Sequence, residues 1–84
     1  MPRFHLNIHD RGGLSYDEEG LELADLAAAR SSAFDGIRSM ASDDVRSGVL
    51  DLNGRVEITD EAGSILEIVR FLDAIELRLP EDAG

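Results

Sequence analysis

DLAAARSSAFDGIRSMASDDVRSG, residues 25–48, decides the fold. Leu26, Ala29, Ala33, Ile37, Met40 or Ala41, and Val45 recur at spacings of three and four, the single stripe of an amphipathic helix. Asp25 suits the N-cap, the run Ala27 to Ala29 has the highest helix propensity, and Gly48 stands where a C′ glycine belongs. Arg46 lies in the last turn, beside the negative end of the helix dipole. Gly36 is the exception. It weakens the helix by about 1 kcal/mol relative to alanine and is read as permitting close approach to a sheet, or a slight bend. A helix from Asp25 to Ser47 spans about 33 Å, against an expected radius of gyration of about 12 Å, so it crosses the whole molecule.

Strand patterns flank this helix. In FHLNIHD, residues 4–10, Phe4, Leu6 and Ile8 alternate with His5, Asn7 and His9, the period of a half-buried strand. Asp10-Arg11-Gly12-Gly13 reads as a hairpin loop and Leu14-Ser15-Tyr16 as a short return strand. Asp17-Glu18-Glu19-Gly20 is a second turn, after which Leu21 and Leu23 act as anchors. Beyond the helix, Val56 and Ile58 alternate with Glu57 and Thr59, and Asp60-Glu61-Ala62-Gly63 closes a hairpin whose glycine can take the left-handed position of a bulge. In the next strand Ile65, Glu67, Val69 and Phe71 are assigned to one face, Leu66 and Ile68 to the other. A strand apolar on both sides is central in its sheet, or its second face meets another subunit. Phe71 to Leu77 reads as a short helical turn before Pro80. The expected architecture is α+β: a two-layer sandwich in β-β-α-β-β order, with one long amphipathic helix on a small, mainly antiparallel sheet. One domain accounts for residues 1–84, its ordered core covering about 3–77 and its tail, 80–84, frayed.

The chain has 84 residues and no cysteine, which excludes a disulfide framework and a thiolate metal cage. No apolar run approaches the length of a membrane span and the first residues lack the core of a signal peptide, so the expectation is a cytoplasmic protein without membrane contact. Eighteen acidic residues against eight basic ones give a formal charge of −10, and all eight bases are arginine. Such a surface repels phosphate backbones and argues against direct nucleic-acid binding; it suits solubility or a basic protein partner.

The order FHLNIHD, DEEGLEL, DLAAARSSA, ITDEAG, FLDA resembles a family of short bacterial proteins catalogued only as a domain of unknown function. The resemblance runs from Arg3 to Ile75, with Arg70 standing where the pattern has proline. It implies the element order above and no activity. A weaker likeness of pattern is to HicB-type antitoxin domains, although this chain carries no appended helix-turn-helix and no PDLPGC-like segment.

Few residues invite chemistry. His5 and His9 share a strand face but lie about 13 Å apart along it, too far to hold one ion together. A metal site would need one of them with ligands from elsewhere, Asp10 first among them. Asp17, Glu18, Glu19 and Glu22 lack the alternating ligands and closing glutamate of a calcium loop. No serine lies in a G-x-S-x-G elbow, and Gly12-Gly13 lacks a phosphate-loop lysine. Arg30 and Arg38 read as a polar helix face, with Asp35–Arg38 and Asp43–Arg46 as i,i+3 pairs. These patterns favour a non-enzymatic module without catalytic residues or cofactor, a homodimer that binds or modulates another protein, with Leu66, Ile68, His5 and His9 at its interface. The alternatives are a minimal metal-dependent enzyme using His5, His9 and Asp10, and an acidic mimic of nucleic acid or antitoxin-like binder of a basic partner.

Overall fold

The computed structural model describes residues 1–81; the tail expected to fray, residues 80–84, lies largely outside them. Helix α1, Leu26–Ser47, begins and ends as its sequence dictates. Asp25 is extended and its carboxylate accepts from the Ala28 N–H at 2.9 Å. Gly48 turns left-handed at φ 89°, donating to the Val45 carbonyl while Val49 donates to that of Asp44, a Schellman closure. Ala29, Ala33 and Ile37 are buried, and Leu26, Phe34 and Met40 pack at the margin of the core.

Two departures from the expected stripe have physical causes. Val45 is 64 % exposed, because the sheet ends near Asp10 and Gly54, beside Met40, Asp43 and Asp44, and the last turn of α1 runs past it. The molecule measures 48 × 24 × 19 Å, with a radius of gyration of 14.2 Å. Gly36 is exposed, and a Cβ built there meets nothing within 4 Å. It lies on the outer side of the helix, so close approach to the sheet is not its role.

The sheet runs β2-β1-β4-β5, all antiparallel, from β1 (Arg3–Asp10), β2 (Gly13–Ser15), β4 (Arg55–Thr59) and β5 (Ile65–Arg70). The two-residue strand β3 (Leu21–Glu22) pairs with the start of β1. Phe4, Val56, Ile58 and Val69 fill the space beneath α1, as the alternation requires. The element order is therefore the expected strand, strand, helix, strand, strand, with β3 added.

β5 is an edge strand, not a central one. It pairs Ile58 with Glu67 but Thr59 with Ile65, so Leu66 is the extra residue of a bulge. One added residue resets the alternation, and Ile65 stands opposite Thr59 on the open face instead of sharing a face with Glu67 and Val69. Arg70, followed by the one-turn helix α2 (Phe71–Ala74), adopts φ −76° and ψ 150°, a backbone that proline also takes. Its N–H, which proline would lack, donates to Asp73 at 3.0 Å. α2 ends at Ala74, three residues before the expected Leu77.

The helix is tied down by arginine. Arg30 donates through Nε and Nη2 to the carboxylate of Glu67. Arg38 donates to the Ala74 carbonyl at 2.9 Å and lies over the Phe34 ring. Neither Asp35–Arg38 nor Asp43–Arg46 forms among the described ion pairs, since Arg38 finds its partner on α2 instead of on its own helix.

Candidate functional site

The open face of the sheet carries the residues that drew attention first. The turn at residues 16–20 folds against it and buries Asn7, whose Oδ1 accepts from the Asp17 N–H at 2.9 Å. Asp17 organises that turn: its carboxylate accepts from Leu6 and Gly20, the latter left-handed at φ 72°. His5 sets Nδ1 against the Asp17 carbonyl, so that nitrogen carries the proton. The acidic turn is thus a brace for β1.

His9 stands two residue pairs beyond His5, among Arg55 and Glu57. Its Nε2 lies 3.0 Å from Glu57 Oε1, and Arg55 Nη2 lies 3.4 Å from its Nδ1 while Arg55 Nε donates to Glu57 at 3.3 Å. Arg55 can only donate, so Nδ1 accepts and Nε2–H donates to the carboxylate. Burial pushes the Glu57 carboxyl up, but hydrogen bonds from His9 and Arg55 outweigh it and hold that carboxyl below its ordinary value. Both ring nitrogens of His9 are therefore engaged.

Asp10, the third residue of the metal reading, accepts from the Gly12 N–H at 2.8 Å and closes the β1–β2 hairpin. Among the described residues no three histidine, aspartate or glutamate side chains converge in metal-binding geometry. A second acidic group lines a cleft between the hairpin tip and α1: Asp10, Asp43, Asp44 and Asp51 around Arg11, floored by Gly54 and Phe71. Asp44 accepts from the Asp51 N–H, and Asp51 accepts twice from Asn53, which with Arg11 holds its carboxyl low. These carboxylates fasten the 48–54 linker, and the spacing of Asp44 and Asp51 could have suggested it.

What remains without a structural task is apolar. Among the described residues thirteen large apolar side chains are exposed, and six of them, Ile65, Leu66, Ile68, Leu72, Leu77 and Leu79, fall between residues 65 and 79. Of the expected interface residues, Leu66 and Ile68 are 44 % and 48 % exposed on β5, while His5 and His9 are half-buried with partners of their own. Leu77 and Leu79 are surface residues that the sequence reading misses: Leu77 ends the stretch Phe71–Leu77 expected to be a helical turn, and Leu79 follows it unassigned. The alternation Ile75-Glu76-Leu77-Arg78-Leu79 was the available signal.

Comparison with known proteins returns a family model described as a domain of unknown function, DUF6894, matching residues 3–72. This agrees with the resemblance carried by FHLNIHD, DEEGLEL and ITDEAG; no HicB-type likeness accompanies it. No curated protein and no solved structure matches the chain. No helix among the described residues is long and apolar enough to cross a membrane.

Proposed function

Since the chain belongs to the DUF6894 family, a domain of unknown function whose membership brings no activity with it, we propose on physical grounds that it is a small non-enzymatic protein-interaction module acting as a homodimer. The observation that carries this reading is the run of exposed apolar side chains from Ile65 to Leu79 on a protein of formal charge −10. An acidic surface secures solubility by itself, so apolar residues concentrated in one stretch of chain call for a partner surface. A short domain gains most from such burial, because its own core is small. The acidic exterior of the pair then attracts basic protein surfaces and repels nucleic acid.

The metal-dependent alternative has no supporting geometry, since His9 and Asp10 are engaged in holding the sheet and its hairpin. Sedimentation equilibrium tests the proposal. At micromolar protomer concentration the expected mass is twice that of the chain, and a single monomeric species up to 100-fold higher concentration would refute it.

A further inference from the structure

After α2 the chain continues as strand-type sequence with no sheet to join. Ile75 is extended, at φ −133° and ψ 126°. Glu76 accepts from Arg78 Nε and Nη2 at 3.2 Å each, which places these two side chains on one side and Leu77 on the other. Leu77 is 54 % exposed and Leu79 72 %. Among the described residues, no backbone group of 76–79 bonds to another backbone group.

The segment cannot fold back on its own sheet. Arg38 holds the Ala74 carbonyl, and Ile75 lies in a groove with Ala41, Val45 and Leu50, so the chain leaves toward the C-terminal end of α1. The free edge of β5 lies beside Arg30, about two helical turns back.

We infer, resting on the homodimer reading above, that Ile75–Leu79 pairs with the same segment of a second copy as an antiparallel ribbon centred on Leu77. Facing residues in an antiparallel pair share a side. In this register Glu76 faces Arg78 of the second copy and Arg78 faces its Glu76, while Leu77 faces Leu77 and Ile75 faces Leu79 on the other side. The neighbouring registers fail. A shift by one residue sets charge against leucine, and a shift by two sets Glu76 against Glu76 or Arg78 against Arg78. The five residues therefore specify their own partner, and the segment is locally neutral on an otherwise acidic chain. A two-stranded ribbon is marginal by itself, but here its apolar row begins at Ile75. Leu79 of the second copy, opposite Ile75, comes to lie against the groove of Ala41, Val45 and Leu50. β5 is the poorer contact because it is guarded by its bulge, by the inward carboxylate of Glu67, and by Asp73 on the Arg70 N–H.

Charge reversal decides the matter. Glu76→Arg and Arg78→Glu each set like charges opposite one another twice, and each alone is expected to weaken dimerisation about tenfold or more. Mixing the two variants restores the opposite-charge pairs between unlike chains, so a heterodimer of wild-type affinity should form, which no effect within a single chain can produce. Leu77→Cys, in a chain without other cysteines, should give a covalent dimer on mild oxidation. All three sites are exposed, and unchanged circular dichroism confirms that the variants fold. Single variants that dimerise like the wild type, or a mixture that fails to recover, would overturn the pairing and leave the homodimer standing. Loss of the dimer in Ile68→Asp alone would then move the contact to β5. A monomeric wild type would remove the homodimer reading itself.

Discussion

Gly54→Ala should be the most damaging single-methyl change in this protein. Gly54 is buried where the linker enters β4, and a Cβ there would lie 2.4 and 2.6 Å from the Phe71 ring and 2.7 Å from the His9 carbonyl oxygen. The ring belongs to a buried core residue whose N–H donates to the Gly54 carbonyl at 2.9 Å, and the second obstacle is the backbone of β1. Neither can move alone. Overpacking of this kind costs about 1–3 kcal/mol, of which roughly 0.5 kcal/mol is returned by the stiffer unfolded chain. The expected net loss is about 1.5 kcal/mol, or about 6–12 °C in Tm for a domain of this size. Urea unfolding at a fixed protomer concentration measures it, with m unchanged. Phe71→Leu removes the ring atoms nearest the new methyl, so the double variant should be at least about 1 kcal/mol more stable than additivity predicts. A Gly54→Ala protein within a few tenths of a kcal/mol of wild type, or strictly additive losses in the cycle, would refute the packing argument.

Gly36→Ala should act in the opposite direction. The site is exposed, open and helical, so alanine adds helix propensity without contact, and urea unfolding should show a gain of about 0.5–1 kcal/mol; a loss would mean that Gly36 has a packing role after all. Stability should also fall in acid through Glu67, whose carboxyl the hydrogen bonds from Arg30 hold below its ordinary value against the opposing effect of burial. A carboxyl depressed by folding contributes stability that is fully present above its unfolded pKa, about 4.3 for glutamate, and is lost as pH falls through the lower folded value. Glu67→Gln should lower stability at neutral pH and flatten the acid limb; identical acid slopes for variant and wild type would exclude the pair as a contributor.

Local sequence carried the parts of the fold that local physics decides. Asp25 and Gly48 bound α1 because capping depends on a side-chain oxygen and a left-handed residue at fixed places. Phe4, Val56 and Ile58 point inward because the period of a strand admits no other arrangement once one face is dry. The misreadings fall where a distant element intervenes. Nothing near Leu66 announces a bulge; it arises from how Thr59 and Ile65 meet across the hairpin, and it changes the face on which Ile65 stands. Asn7 looks like a solvated strand residue and is buried only because the turn at Asp17 closes over it. Val45 continues the apolar stripe correctly in period, yet the sheet has already ended. The candidate surface is half legible: Leu66 and Ile68 are visible as apolar residues on β5, whereas Leu77 sits in the stretch expected to be a helical turn and Leu79 in the short piece between it and Pro80.

The arginines explain why so acidic a chain still has specific contacts to offer. Among the described residues, seven of the eight have an acceptor within the protein and only Arg46 has none: Arg3 meets Glu22, Arg11 meets Asp44 and Asp51, Arg30 meets Glu67, Arg38 meets the Ala74 carbonyl, Arg55 meets Glu57, Arg70 meets Asp73 and Arg78 meets Glu76. The guanidinium fork suits this bridging, which an ammonium group does less well. Cations so engaged leave little positive charge free for phosphate, and the unpaired carboxylates set the surface potential. Five of the seven join elements or cap a helix, and Arg55, whose Glu57 lies on its own strand, reaches β1 through His9; exchanging these partners would loosen the fold. Arg78–Glu76 does neither; at 82 % and 74 % side-chain exposure it is the most solvated of the pairs. Swapping its partners for those of a second copy sacrifices no tertiary contact and desolvates little. An ion pair that holds nothing together within one chain, flanked by exposed leucines, has its natural counterpart in another.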